Sequence, residues 1–319
     1  MKNSLVITVL NEEKTIKKLL KSLENQIKKP DETIFVDGGS LDRTFKIIEN
    51  WKDKFKDLRI KVFLKKRATI AQGRNFGVKK AKGEIIVMTD AGCIPHRDWF
   101  KKITDPFEKG EVDIVAGFYR MTGKTVFQEC LACYLGILPE KLNLKNFMPS
   151  TRSIAFKKEI WERVGGFNEK LERAGEDTLF NYRAKRLGAK FITVPDALVD
   201  WEMPKTWREA IKKFYIYAKG DGQVGIWWDP SKKITTHNLK INTIYLRYFL
   251  GALFFLGGFF LKFFWLLLFF AFLNYLLWAV FKNYNYVRKI LAIFYLPAIQ
   301  IVSDFSVMTG FLAGLRKRI

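Results

Sequence analysis

Cysteine and histidine are scarce: the 319 residues hold three of the first and two of the second. So few cysteines make no disulfide framework. Cys130 and Cys133 form a lone C-x-x-C, with no second pair and no histidine beside it, which argues against a zinc site. Their i, i+3 spacing instead sets two small apolar groups on one helix face. Acidic residues are also in short supply, 32 Asp+Glu against 55 Lys+Arg, for a formal net charge of +23. That balance suits an anionic partner: nucleic acid, an anionic membrane surface or phosphorylated substrates. No G-x-G-x-x-G follows the first apolar run and no G-x-x-x-x-G-K-[ST] occurs, which disfavours a dehydrogenase-type dinucleotide fold and a P-loop NTPase. A basic leader with an apolar core and cleavage site is missing as well, so the front part is expected to stay in the reducing cytoplasm.

What is present is organised around Gly83 to Gly92. Ile85 to Met88 reads as a strand buried on both faces, ending at Asp90, with Gly92 freeing the backbone to turn. Before it, Ser4 to Leu10 is a strand ending in Asn11-Glu12-Glu13, and Thr15 to Leu23 is an amphipathic helix. Thr33 to Val36 is a strand ending at Asp37-Gly38-Gly39-Ser40, where Ser40 or Asp42 can cap a helix over Thr44 to Trp51. Arg59 to Leu64 is a third strand, and Thr69 to Ala81 a helix carrying Arg74 and Asn75 that Gly83 stops. Alternating strands and helices argue for an α/β fold with a parallel sheet. Ligands then bind at the carboxyl ends of the strands, where Asn11-Glu12, Asp37 and Asp90 meet on one edge. A carboxylate there can accept from a base N–H or hold a divalent cation against a diphosphate. Asp37 suits the base, and Asp90 the metal or ribose–diphosphate side.

Further along, Asp113 to Tyr119, Ser150 to Phe156 and Phe191 to Asp200 read as strands, and Lys158 to Val164 as a short helix stopped by Gly165-Gly166. Residues 124 to 148 lack a clear period and are expected to form a helix and a loop. Glu176-Asp177 precedes a helix over Thr178 to Leu187. Such a pair serves either to cap the helix and offset its dipole or to supply a general base.

The motifs Val6-Ile7-Thr8-Val9-Leu10-Asn11-Glu12, Phe35-Val36-Asp37-Gly38-Gly39-Ser40, Gly73-Arg74-Asn75-Phe76-Gly77, Thr89-Asp90-Ala91-Gly92, Val164-Gly165-Gly166-Phe167-Asn168-Glu169 and Gly175-Glu176-Asp177 resemble, in order, those of family 2 glycosyltransferases with the GT-A fold. The resemblance covers roughly residues 4 to 225. It implies an inverting transfer of a sugar from a nucleotide-diphosphate donor, usually with Mg²⁺ or Mn²⁺. It also implies that Thr8 and Asp37 contact the base, that Glu12 lies near the ribose with Asn11 beside it, and that Arg74 lies near the base or diphosphate. Asp90 then takes the first acid of the D-x-D element, and Asp177 of the Glu176-Asp177 pair is the base that deprotonates the acceptor. The chain departs from the pattern twice: Gly92 replaces the second acid, and Val199-Asp200-Trp201 stands where a histidine is common. Asp90 is left as the metal acid, with Asp200 a candidate substitute. The Q-x-x-R-W of processive synthases is not matched, by Lys213 to Tyr217 or by Gln223 to Trp227, which favours single-sugar transfer.

Trp207 to Lys219 reads as a basic amphipathic helix suited to a membrane surface. Tyr248 to Leu261, Phe263 to Phe281 and Ile290 to Leu315 are apolar runs, the last interrupted by Pro297, Gln300, Ser303 and Asp304. About 20 apolar residues span a bilayer. Positive charges at Lys282, Arg288, Lys289 and Arg316-Lys317-Arg318 prefer the cytoplasm. A hairpin of the first two runs followed by an interfacial helix satisfies them. The expected organisation is a catalytic domain over residues 1–230 on the cytoplasmic face, followed by a membrane region over 231–319 with about two transmembrane helices. A membrane anchor suggests a polyprenyl phosphate or lipid-linked saccharide as acceptor. The rivals are a soluble or protein acceptor and a non-catalytic membrane scaffold with a degenerate nucleotide-sugar site. Nucleic acid is disfavoured, because no recognisable binding module appears and the basic residues flank oily segments.

Overall fold

The computed structural model describes residues 1–110, 112–144, 147–171, 173–225 and 235–317, and of residues 235–240 the backbone only. The chain divides into two compact units, residues 1–121 with 139–202 and residues 122–138 with 203–319.

The first unit is an α/β sheet flanked by helices. It opens with strand β1 (Asn3–Val9), helix α1 (Ile16–Glu24), β2 (Glu32–Asp37), α2 (Thr44–Lys54), β3 (Ile60–Leu64), α3 (Ile70–Lys80) and β4 (Ile85–Met88). Then come β5 (Cys93–Pro95), α4 (Trp99–Lys109) and β6 (Ile114–Thr122). After α5 (Val126–Leu135), which belongs to the second unit, β7 (Ile154–Lys157), α6 (Lys158–Val164), α7 (Glu176–Arg186) and β8 (Phe191–Glu202) complete it. The sheet order is β3-β2-β1-β4-β7-β6-β8-β5. The four N-terminal strands are parallel, whereas β7 pairs antiparallel with β4 and β6, and β5 with β8. Every residue of β4 is buried, as its unbroken apolar run requires. Val6, Ile34, Val36, Ile86 and Met88 form one core with Val78 of α3 and with Ile160, Trp161, Phe167 and Phe180 beyond β7.

Two local expectations change. Helix α3 ends at Lys80 and Ala81 is extended, so Gly83 is not its cap. Gly83 is needed for another reason: a Cβ there would press on Ser4 N at 2.7 Å and on the Asn3 carbonyl carbon at 2.9 Å. Neither Ser40 nor Asp42 caps α2, whose N-cap is Arg43. The Asp42 carboxylate accepts from Thr44 N at 2.9 Å, and Ser40 Oγ accepts from Asn11 N at 2.8 Å. Strand β5 and helix α4 lie in a segment to which the sequence reading assigned no element.

In the second unit, α11 (Ala292–Leu315) packs against α8 (Trp207–Val224), α5, α9 (Thr235–Gly257) and α10 (Phe263–Val287), and α10 also against α5 and α9. Among the described residues two helices are long and apolar enough to cross a membrane, α10 and α11, with mean hydropathy 2.1 and 1.4. These are the second and third apolar runs, not the first two. The third is a continuous helix because its polar residues face inward. Gln300 Nε2 donates to Asp304 Oδ1 at 2.8 Å, and Arg247 Nη2 and Tyr275 Oη both reach Asp304 Oδ2 at 2.7 Å. The apolar face of α8 is likewise not bare. Ala210 and Phe214 are buried with Ala292, Leu296 and Ile299 of α11 and with Phe127 and Cys130 of α5. Glycines permit this approach: a Cβ at Gly222 or Gly314 would meet the backbone of the facing helix. Burial pushes the Cys130 thiol up to about 12, far from the thiolate a metal ligand needs.

Candidate active site

Helix α3 lies directly on β1 and β2. A Cβ at Gly73 would sit 3.0 Å from Thr8 Cγ2, and one at Gly77 would overlap Val6. Thr69 and Gln72 close a capping box at its start, with Gln72 N donating to Thr69 Oγ1 at 3.3 Å and Thr69 N to Gln72 Oε1 at 3.0 Å. This seating buries Arg74, which is 3% exposed. Its Nη2 donates to Asp90 Oδ1 at 2.8 Å, and its Nη1 to Glu176 Oε1 at the start of α7. One guanidinium thus joins the end of β4 to the acid pair of α7. Burial alone would lower the Arg74 pKa; the carboxylates of Glu176, Asp90 and Asp177 outweigh it and raise it, so the guanidinium stays charged. Burial pushes the Glu176 carboxyl up, against the pull of Arg74, and the Asp177 carboxylate pushes it the same way. Asp177 is half-buried, with Oδ1 accepting from Thr178 N at 2.7 Å. No side chain caps α7, because Gly175 stands at its N-cap.

At the neighbouring strand ends, Val9 of β1 faces Asp37 of β2. Asp37 is fully buried, and its Oδ1 accepts from Gly39 N at 2.7 Å and Ser40 N at 2.6 Å. Gly39 makes that turn with φ +100°. Asp37 Oδ2 is buried without a hydrogen-bond partner among the described residues. Buried carboxylate oxygens are ordinarily satisfied, so this atom is an acceptor awaiting a donor. Asn11, with φ 57°, bonds the same turn: its Oδ1 accepts from Leu41 N at 2.8 Å. Glu12 accepts from Thr15 Oγ1, and its own N–H donates to Thr44 Oγ1 at 2.7 Å. Thr8 is half-buried beneath Gly73. Thr8, Asn11, Glu12 and Asp37 therefore share one edge, with Asp90, Arg74 and Glu176 alongside through the β1–β4 pairing and α3.

The sequence reading left Asn75 without a role. Its Nδ2 donates to the Phe167 carbonyl at 2.8 Å and to Glu169 Oε1 at 2.9 Å, and its Oδ1 accepts from Phe167 N at 2.9 Å. Asn75 thus locks the Gly165-Gly166-Phe167 turn to α3, and no spacing within the sequence signals a link 92 residues long.

The described residues by themselves form no closed site for a divalent ion. Gly92 offers no carboxylate, and a Cβ added there meets nothing within 4 Å. Asp90 Oδ1 is engaged by Arg74, and Asp200 is forked by Arg120 at 2.8 and 3.0 Å with His96 Nε2 at 3.2 Å. Among the described residues no group of three or more His, Cys, Asp or Glu is arranged to hold a metal. A hard cation takes six or more oxygen ligands, so with Asp90 as the one strand-end acid most of them would have to come from waters and a substrate diphosphate.

The family described as glycosyl transferase family 2 matches residues 4–158, and that described as glycosyl transferase family group 2 matches residues 85–302. The chain is 26% identical over 229 residues to the glycosyltransferase AglE of Haloferax volcanii, covering 70% of this chain and 73% of that one. It is 29% identical over 108 residues to the dolichyl N-acetyl-α-D-glucosaminyl phosphate 3-β-D-2,3-diacetamido-2,3-dideoxy-β-D-glucuronosyltransferase of Methanococcus voltae, covering 33% of this chain and 34% of that one. The fold is similar to that of the mannosyltransferase PcManGT of Pyrobaculum calidifontis, solved with GDP-Man and Mn²⁺, with a TM-score of 0.55 and 24% identity over 70% of this chain and 62% of that one.

Proposed function

The chain belongs to the family 2 glycosyltransferases, and from that premise we propose that it moves a single sugar from a nucleotide-diphosphate sugar to a membrane-embedded acceptor, a polyprenyl phosphate or a lipid-linked saccharide, with inversion. The observation that carries this reading is Arg74 joining Asp90 to Glu176. It sets the strand-end acids against the acid pair of α7, so a donor on the sheet edge has a carboxylate beside it. In this reading the free Asp37 Oδ2 accepts from the base, with Thr8, Asn11 and Glu12 around the nucleoside and Asp90 toward the ribose and diphosphate. Asp177 takes the proton of the acceptor hydroxyl as its oxygen bonds to the anomeric carbon. The bond from that carbon to the diphosphate breaks, and the nucleoside diphosphate leaves with the electron pair. Glu176, tied to Arg74, orients α7 and takes no proton.

The donor class draws support from the GDP-Man bound to PcManGT, and the lipid acceptor from the dolichyl phosphate in the name of the Methanococcus relative. In the proposed organisation residues 1–230 are catalytic and 231–319 membrane-associated; the 230/231 boundary lies outside the described residues. The catalytic face is proposed to be cytoplasmic; with α10 and α11 both crossing, Lys282, Arg288 and Lys289 lie at the opposite face from Arg316-Lys317, so the charges alone favour neither side. Mass spectrometry of membrane lipids after incubation with a panel of nucleotide sugars tests the whole reading. A lipid gaining one sugar mass from one donor is expected; sugar on soluble or protein material alone, or on nothing, overturns it.

A further inference from the structure

Helix α11 is bound to α8 over most of its length. At one end the Trp207 and Tyr295 ring centroids lie 6.5 Å apart. Toward the other, a Cβ on Gly310 would run into the Tyr215 carbonyl oxygen, and one on Gly314 into that of Lys219. The two helices therefore run parallel with their backbones touching, an approach that small residues permit. Yet α8 carries Arg208, Glu209, Lys212, Lys213, Lys219 and Asp221 along its 18 residues. Arg208, Glu209 and Lys212 are exposed. Charges spread along a helix in this way bar it from hydrocarbon, where each would lose its water. A crossing helix carries its packed partner with it through that layer. By length and hydropathy α11 could cross, but the helix seated on it could not.

The hairpin of α9 and α10 is built otherwise. In α10 only Ala279 and Asn283 are buried, and Phe263, Phe269, Phe270 and Phe281 are half exposed or more. Phe263 to Phe281 is 19 residues without a charge, bounded by Lys262 and Lys282. At about 1.5 Å a residue it covers about 28 Å, close to the hydrocarbon thickness of a bilayer. Helix α9 returns against it, with the rings of Phe255 and Trp265 5.0 Å apart and those of Phe254 and Phe264 6.1 Å apart.

We infer that the second unit enters the bilayer by the α9–α10 hairpin alone, with Lys262 at the far interface, while α11 lies in the near interface beside α8. The α8–α11 pair carries charge on one helix and oil on the other, the division an interface calls for. Phe294 and Phe305 of α11 are 70% and 53% exposed. The partner of this surface is a lipid bilayer, and the inference rests on the membrane-associated reading proposed above. It returns Lys282, Arg288, Lys289, Arg316 and Lys317 to one face, as their charge pattern suggests, and the positive-inside rule marks that face as cytoplasmic.

The experiment uses the full chain in sealed membrane vesicles of one orientation, in a Cys133→Ser background, since Cys93 and Cys130 are already buried. Lys212→Cys, Lys262→Cys, Ile290→Cys and Arg316→Cys are made singly, each at an exposed position where the packing is left intact. A membrane-impermeant maleimide is added before and after detergent opens the vesicles. Lys212→Cys, Ile290→Cys and Arg316→Cys should all label from one face, and Lys262→Cys from the other. Labelling of Ile290→Cys and Arg316→Cys from opposite faces would show that α11 crosses. Labelling of all four from one face would show that the hairpin does not. Either overturns the inference. A chain that glycosylates a membrane lipid but labels in one of those ways keeps the proposed function and loses this topology. A chain that labels as expected but modifies only soluble material keeps the topology and loses the proposed acceptor.

Discussion

Arg74 on α3 donates to Glu176 on α7 across 102 positions of sequence, and both side chains are all but inaccessible to solvent. A buried pair of this kind is a weak source of net stability, but breaking it strands a charge. Arg74→Met should therefore destabilise the first unit by about 3–5 kcal/mol. Pairing it with Glu176→Leu should restore most of that, because neither charge is then left alone. Denaturant unfolding of the two variants makes the comparison; a double variant as unstable as the single one would refute the coupling.

Asp177→Asn should abolish transfer and leave donor binding nearly intact. Asparagine keeps the size and can still accept from Thr178 N, but it cannot take a proton, and losing a positioned base typically costs about 10²–10⁴-fold in rate. Single-turnover transfer beside donor titration separates the outcomes. Full activity reduces Asp177 to a local backbone contact, and lost donor affinity moves it into the nucleotide site. With a phosphate acceptor the rate loss should shrink, since that oxygen is already deprotonated near neutral pH.

Asp37→Asn should weaken nucleotide binding more than it weakens the fold. The amide can still accept from Gly39 N and Ser40 N through its oxygen, yet it presents an NH₂ where a base donor would meet the buried Oδ2. Calorimetric titration with nucleoside diphosphates is the check, and unchanged affinity would take Asp37 out of the site.

Transfer should survive EDTA better in the wild type than in Gly92→Asp. The space beyond the Gly92 Cα is open, so the added carboxylate fits and gives Asp90 the second acid it lacks. A variant whose activity and Mn²⁺ response match the wild type would show that the element is not where charge is neutralised.

Glu32 offers a pH test of the fold. Burial alone would push its carboxyl up, but Lys61 Nζ at 2.5 Å, Ser4 Oγ at 2.6 Å and Lys82 N at 2.6 Å outweigh it and hold the pKa below the usual range. A depressed carboxylate contributes stability that is present above its unfolded pKa, about 4.3, and is lost as pH falls through the folded value. Glu32→Gln should therefore lower stability at pH 7, and the gap from wild type should narrow on acidification below about 4.3. A gap independent of pH would show that the carboxylate's charge is not what the site uses.

By itself the sequence determined the elements and the chemistry at their ends. The run Ile85 to Met88 and the acids at Asp37 and Asp90 are local facts, because an apolar strand and the turn that ends it depend on neighbours one to four residues away. The same locality exposed the loss of the second acid at Gly92. Only tertiary structure decided what those acids face. Arg74 looks like a solvated helix arginine until Gly73 and Gly77 let α3 down onto β1 and β2 and bury it between Asp90 and Glu176. Asn75 had no legible role until the turn at Phe167 closed on it. Helix α5 lacked a period because it is buried on several sides by α8 and α11, and α11 runs unbroken because Asp304 finds Arg247 and Tyr275 on other helices. The physical reason is common to all four cases: burial and pairing are set by partners dozens to hundreds of residues away, and no pattern within a window of sequence carries that information.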